Sequence, residues 1–368
     1  MKKARVLEII GKRPVGGVGT VMLNYQTYVD AGKVQMDYLI FGEEAEKFDE
    51  SVKALGSKVY MYPALSGSQM GRTKAYLEEF FAAHADEYDI VHLHAPNIAF
   101  MAFPIVAKHG IKTRIIHSHA TLYAENKIKA IRNKILWALA KGKITDRIGC
   151  SKAAGDFLFG KDEFVVLKNA IAYEDYLYDE TMRTEIREQE GAGDKLVVGN
   201  VGRFSQQKNQ IFLIEIFAKI KEIHPESVLW LLGDGELRGE IEAKIAAFGL
   251  MDSVKLFGMV PNTKDYYQAM DVMVMPSLFE GLPMVGVEAQ ASGLPCVFAD
   301  TITREVDVVG CPYLSLNEPV EVWAKEAIRM ANVKERCSYP AELDALGFNI
   351  KLEAKRLEEL YLEKIAEV

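Results

Sequence analysis

The chain alternates between segments with strand character and segments with helical character almost from end to end. In the first half, short β-rich runs are separated by stretches whose apolar residues recur at helical spacing. This alternation predicts βαβ units and a parallel sheet, because a parallel strand is reached only by a crossover connection. The predicted strands of this half are 4–10, 35–41, 58–62, 89–94, 113–119 and 147–151.

A charged stretch with little periodicity, EDYLYDETMRTEIREQEGAGDK, separates this half from a second set of strands. That second set covers 196–202, 228–233, 254–258, 272–277 and 295–299. We therefore predict an α/β protein with two doubly wound, Rossmann-like domains, residues 1–170 and 171–348. Residues 349–368 have helical spacing with no strand after them, which predicts a terminal helix. If the two domains face each other, the carboxyl ends of their strands line a shared cleft.

Composition limits the class of protein. With 368 residues, of which 49% are hydrophobic and 26% charged, the chain is long enough for two cores. It contains no run of the roughly 18 to 20 apolar residues that a membrane span needs. The opening MKKARVLEIIGKRP is interpreted as a strand rather than a signal peptide, since Glu8 interrupts its short apolar stretch. Four cysteines without C-x-x-C spacing favour a reducing, cytoplasmic compartment.

Charge is unevenly distributed along the chain. Lys and Arg number 22 against 16 Asp and Glu through Gly160, whereas the remainder has 22 against 36. The acidic second half would repel phosphate backbones, and no basic strand interleaved with aromatic residues is found. We therefore expect no nucleic-acid partner.

A glycine-rich loop, GKRPVGGVGT, follows the first predicted strand. Gly16 and Gly17 would let backbone N–H groups approach a phosphate at the start of the next helix. The loop lacks the third Gly or Ala of the dinucleotide fingerprint and the Gly-Lys-Ser/Thr of the nucleoside-triphosphate loop. A glycine turn that serves close packing of strand and helix remains an alternative.

Two cations follow the first strand of the second domain, in VGRFSQQKN. Arg203 and Lys208 together suit a diphosphate better than a single carboxylate, since Arg offers a planar fork and Lys a mobile point charge. Gly233, in LLGDGEL at the end of the next strand, marks another glycine turn that leads into a helix on the same edge. The alternative is a solvated loop.

The segment PSLFEGLPMVGVEAQASGLP places two carboxylates eight positions apart in a mostly apolar run. A helix that starts near Pro283 would offer free N–H groups from Gly281 to Val285 to an anion. Glu280 would stand just before this helix, whereas Glu288 would lie about one and a half turns inside it. A buried carboxylate is costly without hydrogen bonds, and the vicinal hydroxyls of a ribose would supply them. A buried Arg or Lys partner is the alternative.

Four histidines lie in pairs on two predicted strands. His92 and His94 share one face of their strand, as do His117 and His119, so all four can converge. Imidazole suits zinc, but no Asp or Glu accompanies these histidines at ligand spacing. Both a metal site and a single catalytic or donor-binding histidine with the others around it remain open.

Residues 126–147 combine seven Lys and Arg residues with an apolar stripe. A basic amphipathic helix of this kind can lie on anionic lipid, with Trp137 at the interface. The alternative is a solvated face over an ordinary core stripe. The apolar stripe consists of Ile128, Ile131, Ile135, Leu136 and Leu139.

Taken together, the motifs VGRFSQQKN, GDGELR, VKLFGMV and YYQAMDVMVMPSLFEGLPMVGVEAQASGLPCV resemble the retaining glycosyltransferases of family 4. The resemblance covers the whole second domain, while in the first domain it rests on the glycine loop, DIVHLH, RIIHSH and CSKAAG. It is greatest to the bacterial branch for capsular polysaccharide and exopolysaccharide biosynthesis. It implies the GT-B fold, in which the C-terminal helix crosses back to the first domain.

The resemblance also implies roles for individual residues. Arg203 and Lys208 match the pair that holds the donor diphosphate and stabilises the leaving group. Glu280 matches the carboxylate near the donor sugar, Glu288 matches the one that binds the ribose, and His119, or alternatively His117, matches a histidine beside the reacting sugar. The implied catalytic residues are His119, Arg203, Lys208 and Glu280. The implied donor-binding residues are Gly16, Gly17, Gly233, Gly281, Leu282, Pro283, Met284, Val285 and Glu288.

The implied reaction transfers a hexose or N-acetylhexosamine from a nucleotide-diphosphate sugar, expected to be a UDP-sugar, to a glycan acceptor. The acceptor is expected to be lipid-linked, at the inner face of the cytoplasmic membrane. The resemblance implies no metal and no other cofactor. Two rival functions remain, a GT-B nucleotide-sugar epimerase and a nucleotide-sugar binding protein without catalysis.

Overall fold

The computed structural model describes residues 2–11, 17–42, 46–62, 70–124, 126–333 and 336–367. The chain divides into two compact units. The first consists of Met1–Ala170 together with Asn349–Val368, and the second is Ile171–Phe348. Each unit contains a sheet of parallel strands connected by helices, which confirms the predicted α/β fold class.

In the described part of the first unit, seven strands pair in the order β3-β2-β1-β4-β5-β6-β7. These strands are β1 Ala4–Ile10, β2 Val34–Phe41, β3 Val59–Tyr62, β4 Ile90–Leu93, β5 Thr113–Ser118, β6 Asp146–Gly149 and β7 Val165–Val166. The helices between them are α1 Gly17–Tyr28, α2 Glu46–Ala54, α3 Met70–His84, α4 Ala99–Lys108, α5 Lys127–Ala140 and α6 Lys152–Phe159. The strand order reverses at the β1–β4 pair, which is where such sheets bind ligands.

The second unit has the same architecture, with six described strands in the order β10-β9-β8-β11-β12-β13. These strands are β8 Leu196–Val201, β9 Ser227–Leu232, β10 Val254–Gly258, β11 Val272–Met275, β12 Cys296–Ala299 and β13 Tyr313–Leu314. The helices of this unit are α7 Glu180–Gln189, α8 Gln210–Ile223, α9 Arg238–Ala247, α10 Thr263–Ala269, α11 Met284–Ala291, α12 Val320–Ala331 and α13 Pro340–Ala345. Here the strand order reverses at the β8–β11 pair.

The last helix, α14 (Ile350–Ala366), belongs to the first unit, as the sequence predicted. It packs on α1 and β1 and buries Leu357 and Tyr361. Glu358 on the same helix accepts a hydrogen bond from Lys33 Nζ at 2.6 Å. Apolar burial and this ion pair therefore dock the end of the chain on the first unit.

Eleven of the strands lie within a residue or two of their predicted positions, whereas β7 and β13 were not predicted. Each of these two has only two residues and pairs with a single neighbouring strand at the edge of its sheet. So short an element shows no periodicity in the sequence. Among the described residues, no helix is both long and apolar enough to cross a membrane.

Candidate active site

In the second unit, the loops after β8 and β11 are joined by side-chain hydrogen bonds at the point where the strand order reverses. Asn200 donates from Nδ2 to the Val274 carbonyl at 2.8 Å, which couples the two strands. Asn209, in the left-handed region with φ of 56°, donates from Nδ2 to the Pro276 carbonyl at 3.0 Å. Asn tolerates this conformation better than other non-glycine residues. The loop that carries Lys208 is thereby fixed against the loop that leads to Glu280.

Lys208 and Glu280 form an ion pair at this edge. Lys208 Nζ lies 2.6 Å from Glu280 Oε1, and both side chains are largely buried. Gln207 donates from Nε2 to Glu280 Oε2 at 3.1 Å and to the Phe279 carbonyl at 3.0 Å. The structure therefore brings together one predicted cation and one predicted carboxylate, and Gln207 is a contact that the sequence did not reveal.

Arg203 contacts a different carboxylate from the one that Lys208 contacts. Its side chain is 73% exposed, and its Nε donates to Glu236 Oε2 at 2.9 Å. The backbone carbonyl of Arg203 accepts a hydrogen bond from Gln210 Nε2 at 3.0 Å. The guanidinium is thus on the surface of the loop, where it is available to a ligand that displaces Glu236.

Gly233 has a steric reason to be glycine. Its φ is 138°, and a Cβ built on it would lie 2.1 Å from the Gly202 carbonyl oxygen. The turns after β8 and β9 therefore touch through their backbones, and a side chain would force them apart. A role of Gly233 in donor binding stays a prediction.

Glu288 is buried inside α11 and accepts hydrogen bonds from tyrosines. Tyr267 on α10 donates its hydroxyl to Glu288 Oε2 at 2.8 Å. Burial raises the pKa of Glu288, while hydrogen bonds from Tyr267 and Tyr176 and the charge of Lys208 oppose the rise. The described contacts of this carboxylate are therefore hydroxyl groups, and a direct Arg or Lys partner, the alternative considered from the sequence, is not among them.

A half-buried arginine holds the helix that carries Tyr267. Arg336 donates to the backbone carbonyls of Tyr267, Gln268 and Met270 at the end of α10. It also donates to Ser292 just after α11. A cation at a helix C-terminus satisfies carbonyls that have no partner within the helix, so Arg336 positions α10 and α11 together.

The helix beside these residues begins where the sequence predicted. Pro283 caps α11 and Met284 is its first residue. Leu282 and Met284 are buried, while Val285 is half-buried. The first-turn N–H groups of a helix have no carbonyl partner within it, so this end suits an anion. Gly281 and Leu282, in the turn that precedes it, follow directly after Glu280.

In the first unit, the glycine loop is described only in part. Gly16 lies outside the described residues. Gly17 begins α1 and is exposed, and a Cβ on it would meet nothing within 4 Å. Close packing of strand and helix is therefore not the reason for glycine at this position. Gly11, by contrast, is required, since its Cβ would lie 2.4 Å from that of Ala95.

The four histidines do converge at the carboxyl ends of β4 and β5. His94 Nδ1 lies 2.8 Å from His119 Nε2, and the rings of His117 and His119 stack with centroids 4.0 Å apart. His92 stacks on His117 at 5.3 Å. Burial and the neighbouring histidines lower the pKa of His117 and of His119 well below the usual range. Both rings are therefore neutral at physiological pH.

A carboxylate that the sequence analysis did not assign to the site anchors these histidines. Glu8 on β1 is fully buried, and its Oε2 lies 2.8 Å from His94 Nε2 and 3.3 Å from His92 Nδ1. Burial raises the pKa of Glu8, but interactions with His92 and His94 outweigh it and lower the pKa to about 2. Tyr361 on α14 donates to Glu8 Oε1 at 2.8 Å.

Helix α5 exposes its apolar stripe. Ile128, Ile131, Ile135 and Leu139 are 58 to 79% exposed, whereas Leu136 is half-buried. The prediction that Trp137 lies at an interface is wrong, since it is 3% exposed and donates to the Leu158 carbonyl at 2.9 Å. The alternative of an ordinary core stripe is also wrong, because Trp137 and Ala140 supply the buried face.

Known proteins are similar to this chain over nearly its full length. A family model described as Glycosyl transferases group 1 matches residues 182–310. EpsF of Bacillus subtilis, which is named as a glycosyltransferase, is 33% identical over 338 residues, or 89% of this chain and 88% of EpsF. The UDP-Gal:alpha-D-GlcNAc-diphosphoundecaprenol alpha-1,3-galactosyltransferase of Escherichia coli is 23% identical over 350 residues, or 88% of this chain and 87% of that protein. The crystal structure of Anabaena Alr3699/HepE with UDP matches with a TM-score of 0.79 and 18% identity, over 98% of this chain and 100% of HepE.

Two units, each built on a parallel sheet, and the likeness to HepE show that the protein has the GT-B fold. The match to EpsF is one of sequence as well as length. It shows that the chain belongs to the family of group 1 glycosyl transferases. The predicted enzyme class is therefore confirmed. The narrower assignment to family 4 and the individual residue roles stay predictions.

Proposed function

We propose that this glycosyltransferase moves a hexose or N-acetylhexosamine from a UDP-sugar to a lipid-linked glycan, with retention of the anomeric configuration. The observation that carries the proposal is the Lys208–Glu280 ion pair just before the N-terminus of α11. This arrangement brings a cation, a carboxylate and the N-terminus of α11 to one sheet edge, and these groups suit a sugar diphosphate.

The relatives support uridine as the nucleotide. The galactosyltransferase of Escherichia coli is named for UDP-Gal, and HepE was crystallised with UDP. In this chain, Glu288 is the residue proposed to bind the ribose, with its hydroxyls replacing or joining Tyr267 at the carboxylate. Arg203 and Lys208 are proposed to bind the diphosphate, for which Arg203 would exchange its exposed Glu236 partner for phosphate oxygens.

The proposed chemistry follows from where charge develops. The bond between the anomeric carbon and the phosphate oxygen breaks, and UDP leaves with the electron pair of that bond. The acceptor oxygen bonds to the same face of the sugar, and its proton passes to the departing phosphate oxygen. Lys208, Arg203 and the first-turn amides of α11 would stabilise the departing diphosphate. This cationic set is proposed to do the work of a metal ion in neutralising the diphosphate. Glu280 would contact the donor sugar while remaining held by Gln207.

A lipid-linked acceptor is supported by a relative and by one surface of this chain. The Escherichia coli relative is named for a diphosphoundecaprenol acceptor. In α5, the exposed Ile128, Ile131, Ile135 and Leu139 recur at intervals of three or four residues, so they form one stripe. Basic residues flank this stripe, namely Lys127, Lys129, Arg132 and Lys134. An exposed apolar stripe with flanking cations suits an anionic bilayer surface, and polysaccharide biosynthesis is the proposed pathway class.

The experiment that tests the donor site is a thermal-shift panel of nucleotides and nucleotide sugars. At a hundredfold excess over the dissociation constant, a ligand stabilises by about 2.7 kcal/mol. We expect a shift with UDP and one UDP-sugar that is lost in an Arg203→Ala/Lys208→Ala double variant. A Lys325→Ala/Arg329→Ala variant of α12 is the matched control and should keep the shift.

Turnover assays with the UDP-sugar that the panel identifies separate the rival functions. A wild-type protein that converts the UDP-sugar to its epimer in the absence of acceptor is an epimerase. One that binds the UDP-sugar and never releases UDP when undecaprenyl-diphosphate glycans are supplied is a binding protein. Acceptor-dependent release of UDP, with the new linkage in the donor's anomeric configuration by NMR, supports retaining transfer.

A further inference from the structure

The three most buried histidines of the first unit form a compact group of ligand atoms. His92, His94 and His117 each offer one ring nitrogen, and these nitrogens lie within 4.8 Å of one another. All three residues are at most 7% exposed. We refer to these three residues as the histidine cluster. His92 and His94 have no role in the proposed donor site or transfer chemistry, and His117 enters it only as the alternative to His119 that the resemblance leaves open.

The hydrogen bonds around the cluster determine which nitrogens carry protons. Tyr361 donates its hydroxyl to Glu8 Oε1, so its oxygen accepts from His92 Nδ1 at 2.6 Å. His92 in its neutral form therefore has its lone pair on Nε2. Glu8 Oε2 likewise accepts from His94 Nε2, which places the lone pair of His94 on Nδ1. One carboxylate thus fixes two rings as ligands, which is the outer-shell arrangement found around metal-binding histidines.

Of the remaining nitrogens, His94 Nδ1 contacts His119 Nε2, whereas those of His92 and His117 have no partner among the described residues. Among the described residues, His92 Nε2 and both ring nitrogens of His117 are buried without a hydrogen bond. A buried polar atom without a partner is costly, so three such atoms in one cluster indicate a missing ligand.

We propose that the histidine cluster binds one divalent transition-metal ion of the zinc type. Imidazole nitrogen is a preferred ligand of zinc, at about 2.0 to 2.1 Å. The three rings, whose ligand nitrogens now lie within 4.8 Å of one another, would move closer together to bind one ion. His92 would bind through Nε2, His94 through Nδ1 and His117 through either nitrogen. The buried negative charge of Glu8 would compensate part of the charge of the ion. This proposal departs from the expectation, based on the resemblance, that the chain holds no metal.

The proposed ion would also change the state of His119. His94 Nδ1 is the atom that His119 Nε2 contacts at 2.8 Å, so coordination through it frees His119 from that hydrogen bond. His119 itself is only half-buried, and its ring lies 4.0 Å from that of His117 between centroids. Metal binding would therefore change the hydrogen bonding of His119, which is the residue that the resemblance assigns to the reacting sugar.

Zinc titration of the purified full chain tests the proposal. After treatment with EDTA and its removal, we expect one zinc ion per chain, measured by competition with a colorimetric chelator. His117→Gln should weaken binding by more than the 10- to 100-fold that loss of an outer-shell partner causes. His109→Gln is the matched control, since His109 is a half-buried histidine of the same unit that contacts Glu78 on α3, and it should leave the affinity unchanged.

The wild-type protein provides a test that does not depend on how the variant folds. X-ray absorption at the zinc edge should show three imidazole ligands at about 2.0 to 2.1 Å. No stoichiometric zinc, a spectrum dominated by oxygen ligands, or equal affinities of His117→Gln and the wild type would each overturn the proposal. In those cases ordered water is the partner of the buried nitrogens. None of these readouts depends on glycosyl transfer, so the proposal and the proposed function fail separately.

Discussion

Lys208 and Glu280 are 72 residues apart in the chain, yet Lys208 Nζ lies 2.6 Å from Glu280 Oε1. The loop after β8 supplies the cation and the loop after β11 supplies the carboxylate, and these strands are neighbours in the sheet. In the proposed site, the same cation must serve a diphosphate. Glu280 therefore competes with the donor for Lys208 before it contacts the sugar.

This competition predicts opposite effects of two substitutions on UDP binding. Glu280→Gln removes the negative charge, so Lys208 becomes fully available and UDP affinity should stay equal or rise. Lys208→Met removes the cation and should weaken UDP binding. Both variants should lose turnover, by about 10²- to 10³-fold, since both touch the developing charge. Calorimetric titration with UDP, together with initial rates of UDP release, measures the two effects separately.

The control for this pair is Lys219→Met, which removes a cation of α8 that pairs with Glu222 on the same helix. It should change neither affinity nor turnover. If Glu280→Gln weakens UDP binding as much as Lys208→Met does, Glu280 serves only to hold Lys208 in place.

We expect Glu288 to lower the stability of the fold at neutral pH while it contributes to UDP binding. Burial raises its pKa, so the folded state binds a proton more readily than the unfolded state does. Its contribution to stability is complete below the unfolded pKa of about 4.3 and is lost as pH rises through the folded pKa. Glu288→Gln, which cannot ionise, should therefore raise Tm at pH 7, and the difference should vanish towards pH 4.

The same variant should bind UDP about 10- to 100-fold more weakly, because a hydrogen bond to a charged group contributes about 1.5 to 3 kcal/mol. Thermal unfolding from pH 4 to 8 and UDP titration measure the two effects. Glu240→Gln, at an exposed position of α9, is the control. A Tm difference that is the same at every pH would rule out ionisation of Glu288 as its cause.

The sequence predicted those parts of the site that depend on neighbours along the chain. The helix at Met284 and the depth of Glu288 within it follow from the Gly and Pro positions and the eight-residue spacing. The partners of Glu288 could not be predicted in this way, since Tyr267 reaches it from another helix 21 positions earlier. Such contacts depend on how α10 and α11 pack, which no local pattern encodes.

Glu8 is a residue that the sequence could have revealed. It interrupts the apolar run of β1, and a charge inside a buried strand needs a partner. His92 is its register partner on the adjacent strand β4, so the partner follows from the sheet order rather than from spacing along the chain. Trp137 was misjudged for a related reason. Both faces of α5 are apolar, and the sequence does not say which one meets the core.

Asn209 should be sensitive to substitution because it combines an unusual conformation with a hydrogen bond. Asn209→Ala keeps the left-handed conformation at a cost of about 1 to 2 kcal/mol and loses the bond to the Pro276 carbonyl, worth about 1 kcal/mol. Asn209→Gly loses only the bond, because glycine adopts this conformation without strain. We expect stability to fall in the order wild type, Gly variant, Ala variant, as measured by urea unfolding. Equal losses in both variants would show that the backbone conformation contributes nothing.

The apolar stripe of α5 should control membrane binding without affecting the fold. Ile131 and Ile135 are 63 and 58% exposed, so an Ile131→Ser/Ile135→Ser variant should keep the wild-type Tm. It should lose sedimentation with vesicles that contain phosphatidylglycerol, because the stripe can no longer enter the headgroup region. The matched control is Met251→Ser/Met259→Ser, which removes two side chains of similar exposure, 66 and 72%, from the second unit.

Replacing the cations that flank this stripe tests the predicted membrane binding in a second, independent way. Each Lys or Arg near an anionic surface contributes about 1 kcal/mol, so replacing Lys129, Arg132 and Lys134 by Gln should weaken vesicle binding by up to about 100-fold. Binding of the wild type should also fall between 0.1 and 1 M salt, as the screening length shortens from about 10 to about 3 Å. The serine variant tests apolar insertion and the glutamine variant tests attraction to anionic lipid. A wild-type protein that stays in the supernatant with anionic vesicles at low salt would show that α5 does not bind membranes, and the exposed stripe would then need another partner.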